Sequence, residues 1–148
     1  MKNVQEILAG KSKEVWSISP KAKVFDALKL MSEKQIGALM VMNEKGQVEG
    51  IISERDYARK VILFGKASKD TFVSEIMTPS DKMFNIHPEN TLEESMVLMT
   101  AKHIRHLPVC EEGKFVGMLS IGDVVKAIIS EKDMLIEQLS NYIGGKYM

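Results

Sequence analysis

Residues 50–56 read Gly-Ile-Ile-Ser-Glu-Arg-Asp and residues 117–123 read Gly-Met-Leu-Ser-Ile-Gly-Asp, so the pattern Gly-x-x-Ser-x-x-Asp occurs twice, 67 residues apart. In each copy an apolar pair precedes the serine, and the aspartate follows three positions after it. The serine fits a helix N-cap and the aspartate fits the N3 position of a capping-box-like turn. The pattern therefore predicts a buried strand that passes directly into a helix at both places.

The repeat extends over the whole chain. Residues 16–20 align with residues 84–88 at an interval of 68, and residues 4–8 resemble residues 73–77. A one-residue deletion in a hairpin turn explains the step from 68 to 67. We therefore predict two copies of one unit, in residues 1–66 and in residues 67–148, the second with an extended C-terminal helix.

Within the first copy, apolar residues recur at helical spacing over residues 23–34 and predict an amphipathic helix. The apolar runs 38–42 and 48–52 flank a turn that contains Gly46, and predict a buried hairpin. A helix through Tyr57, Val61 and Phe64 should follow. The corresponding segments of the second copy are 92–102, 107–110, 115–119 and 121 onward. The predicted fold is α/β, with the order β-α-β-β-α twice.

Two further segments carry apolar residues that need an explanation. The joining segment 65–82 contains Phe72, Val73, Ile76 and Met77, which indicate a packed connection. The last helix keeps an apolar stripe as far as Gly144-Gly145, which predicts a partner surface and a homodimer. The stripe comprises Ile128, Leu135, Leu139 and Ile143.

Composition excludes several classes of function. The chain has 148 residues, 45% of them hydrophobic, and its 20 lysines and arginines balance 20 acidic residues, so we expect no nucleic-acid or membrane binding. Its one cysteine, Cys110, fits a buried position in a reduced, cytoplasmic protein. His103 and His106 lack a third ligand, and no metal site is expected. Walker-type phosphate loops are absent, which argues against an enzyme.

The duplicated Gly-x-x-Ser-x-x-Asp motifs, together with residues 103–109 (His-Ile-Arg-His-Leu-Pro-Val), resemble the CBS (cystathionine β-synthase) domain family from about Val4 to Ile129. The resemblance implies tandem CBS repeats packed as a pseudo-twofold pair. It also implies a non-enzymatic regulatory module that senses energy or redox state by binding AMP, ADP, ATP or NAD(H) without a metal. A regulated protein partner is a further possibility that the resemblance leaves open.

In such pairs a base pocket in one repeat serves the Ser-x-x-Asp of the other. Carried over residue by residue, the resemblance implies a nucleotide site formed by Ser19, Val24, Ile36, Gly37, Ala38, Arg105, His106, Met118, Ser120 and Asp123. It implies a second site formed by His87, Leu92, Ile104, Ser53, Arg55 and Asp56. The second site ranks lower because Gly37 and Ala38 stand where the other repeat has Arg105 and His106.

Serine and aspartate at a helix start are most often simple caps, and this explains either motif taken alone. A purely structural dimerisation module with a vestigial nucleotide cleft is therefore the main alternative. A nucleotide hydrolase is a third hypothesis. The in-register duplication of the motifs favours ligand binding over both.

Overall fold

The computed structural model describes residues 2–11 and 15–143, apart from the side chains of residues 133, 134, 142 and 143. It contains two compact units, one made of residues 1–13 and 86–148 (unit 1) and one made of residues 14–85 (unit 2). The expected boundary between residues 66 and 67 follows the sequence repeat, whereas the compact units divide the chain differently. Each repeat packs with the helix that precedes the other repeat in sequence.

Unit 2 is built on a four-stranded sheet and several helices. Its elements are β1 (Ser17–Ile18), α2 (Val24–Lys34), β2 (Ala38–Met42), β3 (Val48–Ser53), α3 (Glu54–Tyr57), a π-helical turn (Ala58–Ile62), α4 (Val73–Ile76), β4 (Thr78–Pro79) and a 3-10 turn (Ser80–Lys82). The strands lie in the order β1-β2-β3-β4, in which β1 is parallel to β2 and the other pairs are antiparallel. Side chains from α2, β2, β3 and α4 form its core.

Unit 1 has the same plan with a smaller sheet. Its elements are α1 (Val4–Ala9), α5 (Leu92–Lys102), β5 (His106–Glu111), β6 (Lys114–Ser120) and α6 (Ile121–Ile143). The antiparallel hairpin β5-β6 forms a two-stranded sheet. Ile86 makes a single parallel bridge to Val109, in the place where unit 2 has the strand β1. The predicted α/β fold, both hairpins and the helix of each repeat are confirmed.

The helix predicted to run from Ser53 through Phe64 differs in its second half. Its α-helical part ends at Tyr57, and a π-helical turn continues to Ile62. The widened turn accompanies a fully buried Val61, while Leu63 and Phe64 are exposed. Gly65 follows with a positive φ of 70°, which favours glycine and ends the helix.

The two leading helices occupy equivalent places in the two cores. Val4 of α1 and Val73 of α4 are both fully buried. Asn3 bridges Thr91 at the start of α5, and Phe72 bridges Lys23 at the start of α2. The joining segment is therefore packed, as expected, through Val73 and Ile76, although Phe72 itself is exposed.

The long C-terminal helix is confirmed, but its apolar stripe does not form one surface. Ile128 packs against the core of unit 1, while Leu135 and Leu139 are 55% and 51% exposed. The side chain of Ile143 and the residues Gly144-Gly145 lie outside the described residues. Among the helices described, none combines the length and hydrophobicity that a membrane span requires.

The glycine that opens each motif lies where a leading segment approaches the hairpin. A Cβ atom on Gly50 would overlap the carbonyl oxygen of Thr78, because β4 pairs directly with β3 there. A Cβ atom on Gly117 would lie 3.0 Å from a Leu8 methyl group of α1. Backbone blocks the first position and a side chain blocks the second, so the two glycines differ in how strictly they are required.

We predict that Gly50→Ala lowers the free energy of unfolding by about 1–3 kcal/mol, since the backbone of β4 would have to move. Gly117→Ala is the matched control and should cost less, because the Leu8 side chain can turn away. Urea unfolding followed by circular dichroism measures both. An equal or larger loss in Gly117→Ala would contradict this explanation of the motif glycine.

Candidate functional site

Both motifs form reciprocal capping boxes at the junction of strand and helix. The Ser120 amide donates to Asp123 Oδ2 at 2.8 Å, and the Asp123 amide donates to Ser120 Oγ at 3.1 Å. In unit 2 the equivalent distances are 2.9 Å and 3.3 Å, between Ser53 and Asp56. The predicted caps are thereby confirmed in both repeats. They hold each carboxylate in the first turn of its helix.

The helices that begin at the two motifs differ in length. Helix α6 continues for 23 residues, whereas α3 has four α-helical residues before the π-helical turn. A long helix concentrates partial positive charge at its first turn, which favours an anion. The longer of the two helices therefore begins at the Ser120 motif.

A backbone hydrogen bond ties each helix start to the residue just before its hairpin. The Ile121 amide donates to the Arg105 carbonyl at 2.8 Å, and the Glu54 amide donates to the Gly37 carbonyl at 3.1 Å. In unit 1 this bond places Arg105 and His106 beside the motif. In unit 2 the same positions carry Gly37 and Ala38, which supply no charge.

Lys11, which follows α1, is a site residue that the sequence analysis missed. Its ammonium lies 2.7 Å from Asp123 Oδ2 and donates to the Met118 carbonyl at 2.8 Å. The side chain of Lys11 is 35% exposed and that of Asp123 is 20% exposed, so the ion pair is partly shielded from water. No spacing rule links residues 112 positions apart, and the sequence offered no indication of this contact.

The charged groups around Asp123 influence one another. His106 is half-buried and pairs with Ser120 in the hairpin register. Burial lowers the pKa of His106, Asp123 opposes this, and the charges of Lys11 and Arg105 lower it further. Burial alone would raise the pKa of Asp123, but the hydrogen bonds from Lys11 and Ser120 bring it below its usual value. Lys11 is thus the cation in direct contact with the ionised carboxylate of Asp123, and His106 lies within electrostatic reach of both.

The carboxylate of unit 2 has a simpler setting. Lys60 lies 3.3 Å from Asp56 Oδ1, one helical turn along the chain, and donates to the Ile76 carbonyl at 2.9 Å. This contact has the i,i+4 spacing of helical ion pairs, which the sequence could have suggested. The Asp56 setting differs from that of Asp123 because no histidine and arginine pair precedes the hairpin.

Each predicted residue set contains members from both units. Unit 2 contains Ser19, Val24, Ile36, Gly37, Ala38, Ser53, Arg55 and Asp56, and unit 1 contains His87, Leu92, Ile104, Arg105, His106, Met118, Ser120 and Asp123. Val24 and Leu92 are buried in the cores of their own units. Ser19 and His87 are exposed and accept local hydrogen bonds from the amides of Lys21 and Glu89. The predicted contacts of these residues with a base stay predictions.

A cleft of about 570 Å³ lies elsewhere, on unit 2 between α2 and α3. Its lining is mainly apolar and consists of Leu28, Met31, Ser32, Glu54, Tyr57, Ala58 and Ile62. None of these was predicted to bind a ligand, and the lining of the cleft includes no lysine, arginine or histidine. Within the described part of the chain, no three His, Cys, Asp or Glu side chains are grouped as metal ligands.

We predict that His106 makes folding stability depend on pH. Its pKa in the folded protein lies below the ordinary value of 6.5, so as the pH falls past 6.5 the unfolded chain takes up the proton first. The contribution of neutral His106 to the free energy of unfolding is therefore present above pH 6.5 and is lost as the pH falls through the pKa of His106 in the folded protein. Urea unfolding should therefore show a smaller acid loss in His106→Gln than in the unmutated chain. Identical pH profiles would contradict the shift.

Comparisons with known proteins agree with the repeated architecture. The CBS domain family matches residues 4–62 and 73–135. The Arabidopsis thaliana mitochondrial CBS domain-containing protein CBSX3 is 44% identical over 126 residues, which cover 84% of this chain and 61% of that protein. The chain therefore spans less than two thirds of this relative.

Solved structures show the same fold. A putative signal-transduction protein with CBS domains from Burkholderia ambifaria superimposes with a TM-score of 0.83 at 44% identity, covering 87% of this chain and 95% of that one. The CBS domain pair of protein MJ0100, solved with 5-methylthioadenosine and S-adenosyl-L-methionine, shares the fold at 22% identity and a TM-score of 0.76, covering 88% and 98% of the two chains. The chain belongs to the CBS domain family and carries a pair of these domains.

Proposed function

We propose that this CBS pair is a non-enzymatic regulatory module that binds an adenine nucleotide at the start of α6. The observation that carries the proposal is the capped carboxylate of Asp123 with the Lys11 ammonium at 2.7 Å, beside a strand that begins at His106 directly after Arg105. A carboxylate that accepts hydroxyl groups and cations that attract phosphate are the two requirements of a nucleoside phosphate. The helix start adds the favourable end of a long dipole.

In this proposal the ribose hydroxyls donate to Asp123 and the phosphate lies near Arg105, His106 and the first turn of α6. The base is assigned to Ser19, Val24, Ile36, Gly37 and Ala38 on the family resemblance alone. The adenosine-containing ligands of the MJ0100 pair support this choice of ligand class. The candidate ligands are AMP, ADP, ATP and NAD(H), and none of them requires a metal.

Binding becomes regulation only if the ligand has different affinities for two states of the protein. We propose that the nucleotide favours one conformation and so alters the affinity for a protein partner. A cytoplasmic homodimer is part of the same proposal. Its support is the exposed apolar surface of α6, where Leu135, Ile136 and Leu139 are each more than half exposed.

A structural dimerisation module remains the second candidate, and one observation favours it. Both motif carboxylates already have protein partners, Lys11 for Asp123 and Lys60 for Asp56, in addition to their caps. Capping and ion pairing therefore account for both aspartates without a ligand. Calorimetric titration with AMP separates the two candidates, because only the first predicts saturable binding.

We predict that Asp123→Ala weakens AMP binding more than Asp56→Ala does. Loss of a charged acceptor for the ribose hydroxyls should cost about 1.5–3 kcal/mol, or roughly tenfold or more in affinity. Isothermal titration calorimetry measures the affinities. Urea unfolding of each unliganded variant separates a lost cap from a lost ligand contact. Tighter AMP binding by Asp123→Ala than by Asp56→Ala would reverse the ranking of the two sites.

We predict that the exposed stripe of α6 stabilises a homodimer. Replacing Leu135 and Leu139 together by serine should weaken association by tenfold or more, since burial of one leucine contributes about 1.5–3 kcal/mol. Gln138→Ser on the same helix is the matched control. Light scattering over a dilution series measures the change. A monomeric unmutated chain would reject the dimer, and an unchanged double variant would place the interface elsewhere.

A further inference from the structure

Lys11 occupies one oxygen of the carboxylate that the proposed function assigns to the ribose. Its ammonium lies 2.7 Å from Asp123 Oδ2, the same oxygen that accepts the Ser120 amide. The Met118 carbonyl holds the ammonium from a second side, at 2.8 Å. A ribose that places its two hydroxyls on the two oxygens of the Asp123 carboxylate must therefore compete with this cation at Oδ2.

The outcome of this competition depends on the charge of the ligand. A neutral nucleoside that displaces Lys11 breaks a partly shielded ion pair and offers the ammonium nothing in return. A nucleoside phosphate offers a new anion close to the ribose, so the displaced ammonium exchanges one charged partner for another. The lysine thus opposes the first ligand and assists the second.

We propose that Lys11 is a specificity-determining residue that closes the Asp123 site to neutral nucleosides and admits nucleoside phosphates. This inference rests on the proposed function, because it assumes that Asp123 receives the ribose. The phosphate of the ligand is the group that allows Lys11 to be displaced. Lys11 itself comes from the segment that follows α1, outside the motif.

Two observations support a role beyond the local fold. Lys11 acts electrostatically on His106, which places it among the groups that a bound phosphate would meet. Unit 2 differs, since Lys60 contacts Asp56 at Oδ1, 3.3 Å away, and leaves Oδ2 to the Ser53 cap. Ser80 occupies the position in the leading segment that corresponds to Lys11, so the contact from that segment is found in unit 1.

The test measures the affinities of AMP and adenosine by isothermal titration calorimetry for the unmutated chain and for Lys11→Gln. Glutamine can still donate to the Met118 carbonyl, so this variant keeps a structural contact while it loses the charge. We expect weaker AMP binding, tighter adenosine binding, and a fall of about tenfold or more in the ratio of the two affinities. Lys11→Arg keeps the charge and should preserve most of the ratio.

Lys126→Met is the control for general loss of positive charge, because Lys126 is exposed on α6 one turn from Asp123. It should leave the ratio unchanged.

If Lys11→Gln changes both affinities by the same factor, or neither, while the unmutated chain binds AMP, the specificity role is wrong and the nucleotide function stands. If the unmutated chain binds neither ligand, the proposed function fails and this inference fails with it. If Lys11→Gln does not fold, Lys11→Arg becomes the test. A fall of about tenfold in the ratio of AMP to adenosine affinity in this variant, which keeps the charge, would overturn the role.

Discussion

The reciprocal hydrogen bonds between a motif serine and the aspartate three residues later fix the junction of strand and helix in both repeats. They satisfy amide groups that a helix start otherwise leaves without partners, and they hold a carboxylate in the first turn. In unit 1 the bonds of 2.8 Å and 3.1 Å direct Asp123 towards Lys11. The close approach of a leading segment to Gly50 or Gly117 then completes the core around this junction.

The duplicated framework carries different chemistry in its two copies. At the start of α6, Lys11 pairs with the carboxylate, Arg105 and His106 lie at the start of the neighbouring hairpin, and the helix has 23 residues. At the start of α3 the helix is short, and Gly37 and Ala38 stand in place of the charged pair. The two copies share the geometry of the strand-to-helix junction, but an arginine and a histidine precede the hairpin in the second copy only. We therefore rank the proposed site at the start of α6 above the one at the start of α3.

Features that depend on neighbouring residues could be predicted from the sequence. Apolar periodicity located α2 and α5, turn residues located the hairpins, and the serine-to-aspartate spacing located both caps. Helical periodicity also placed Ile128 on one stripe with Leu135 and Leu139. It cannot show that the helix extends past the core, so that Ile128 is packed while Leu135 and Leu139 are exposed. Likewise, the spacing of apolar residues after Ser53 gave no sign of the π-helical turn that follows Tyr57, because one widened turn leaves that spacing almost unchanged.

Features that depend on long-range packing could not be predicted. The likeness of residues 4–8 to residues 73–77 showed that the two leading helices are equivalent, yet the pattern that they share does not show which helix packs into which core. The exchange of these helices is what brings Lys11 to Asp123 across 112 residues of sequence. The local chemistry of the predicted site was thus visible in Ser120 and Asp123, whereas the contact of Lys11 with Asp123 was not.

The central claim is that an adenine nucleotide binds at the start of α6, and the most direct measurement follows the backbone amides there. In a two-dimensional 15N–1H NMR titration with AMP, we expect saturable shifts at Ser120, Gly122 and Asp123 that exceed those at Ser53, Arg55 and Asp56. GMP at the same concentrations should produce smaller shifts. The account would be contradicted if AMP left the amides of Ser120, Gly122 and Asp123 unmoved while the protein remained folded.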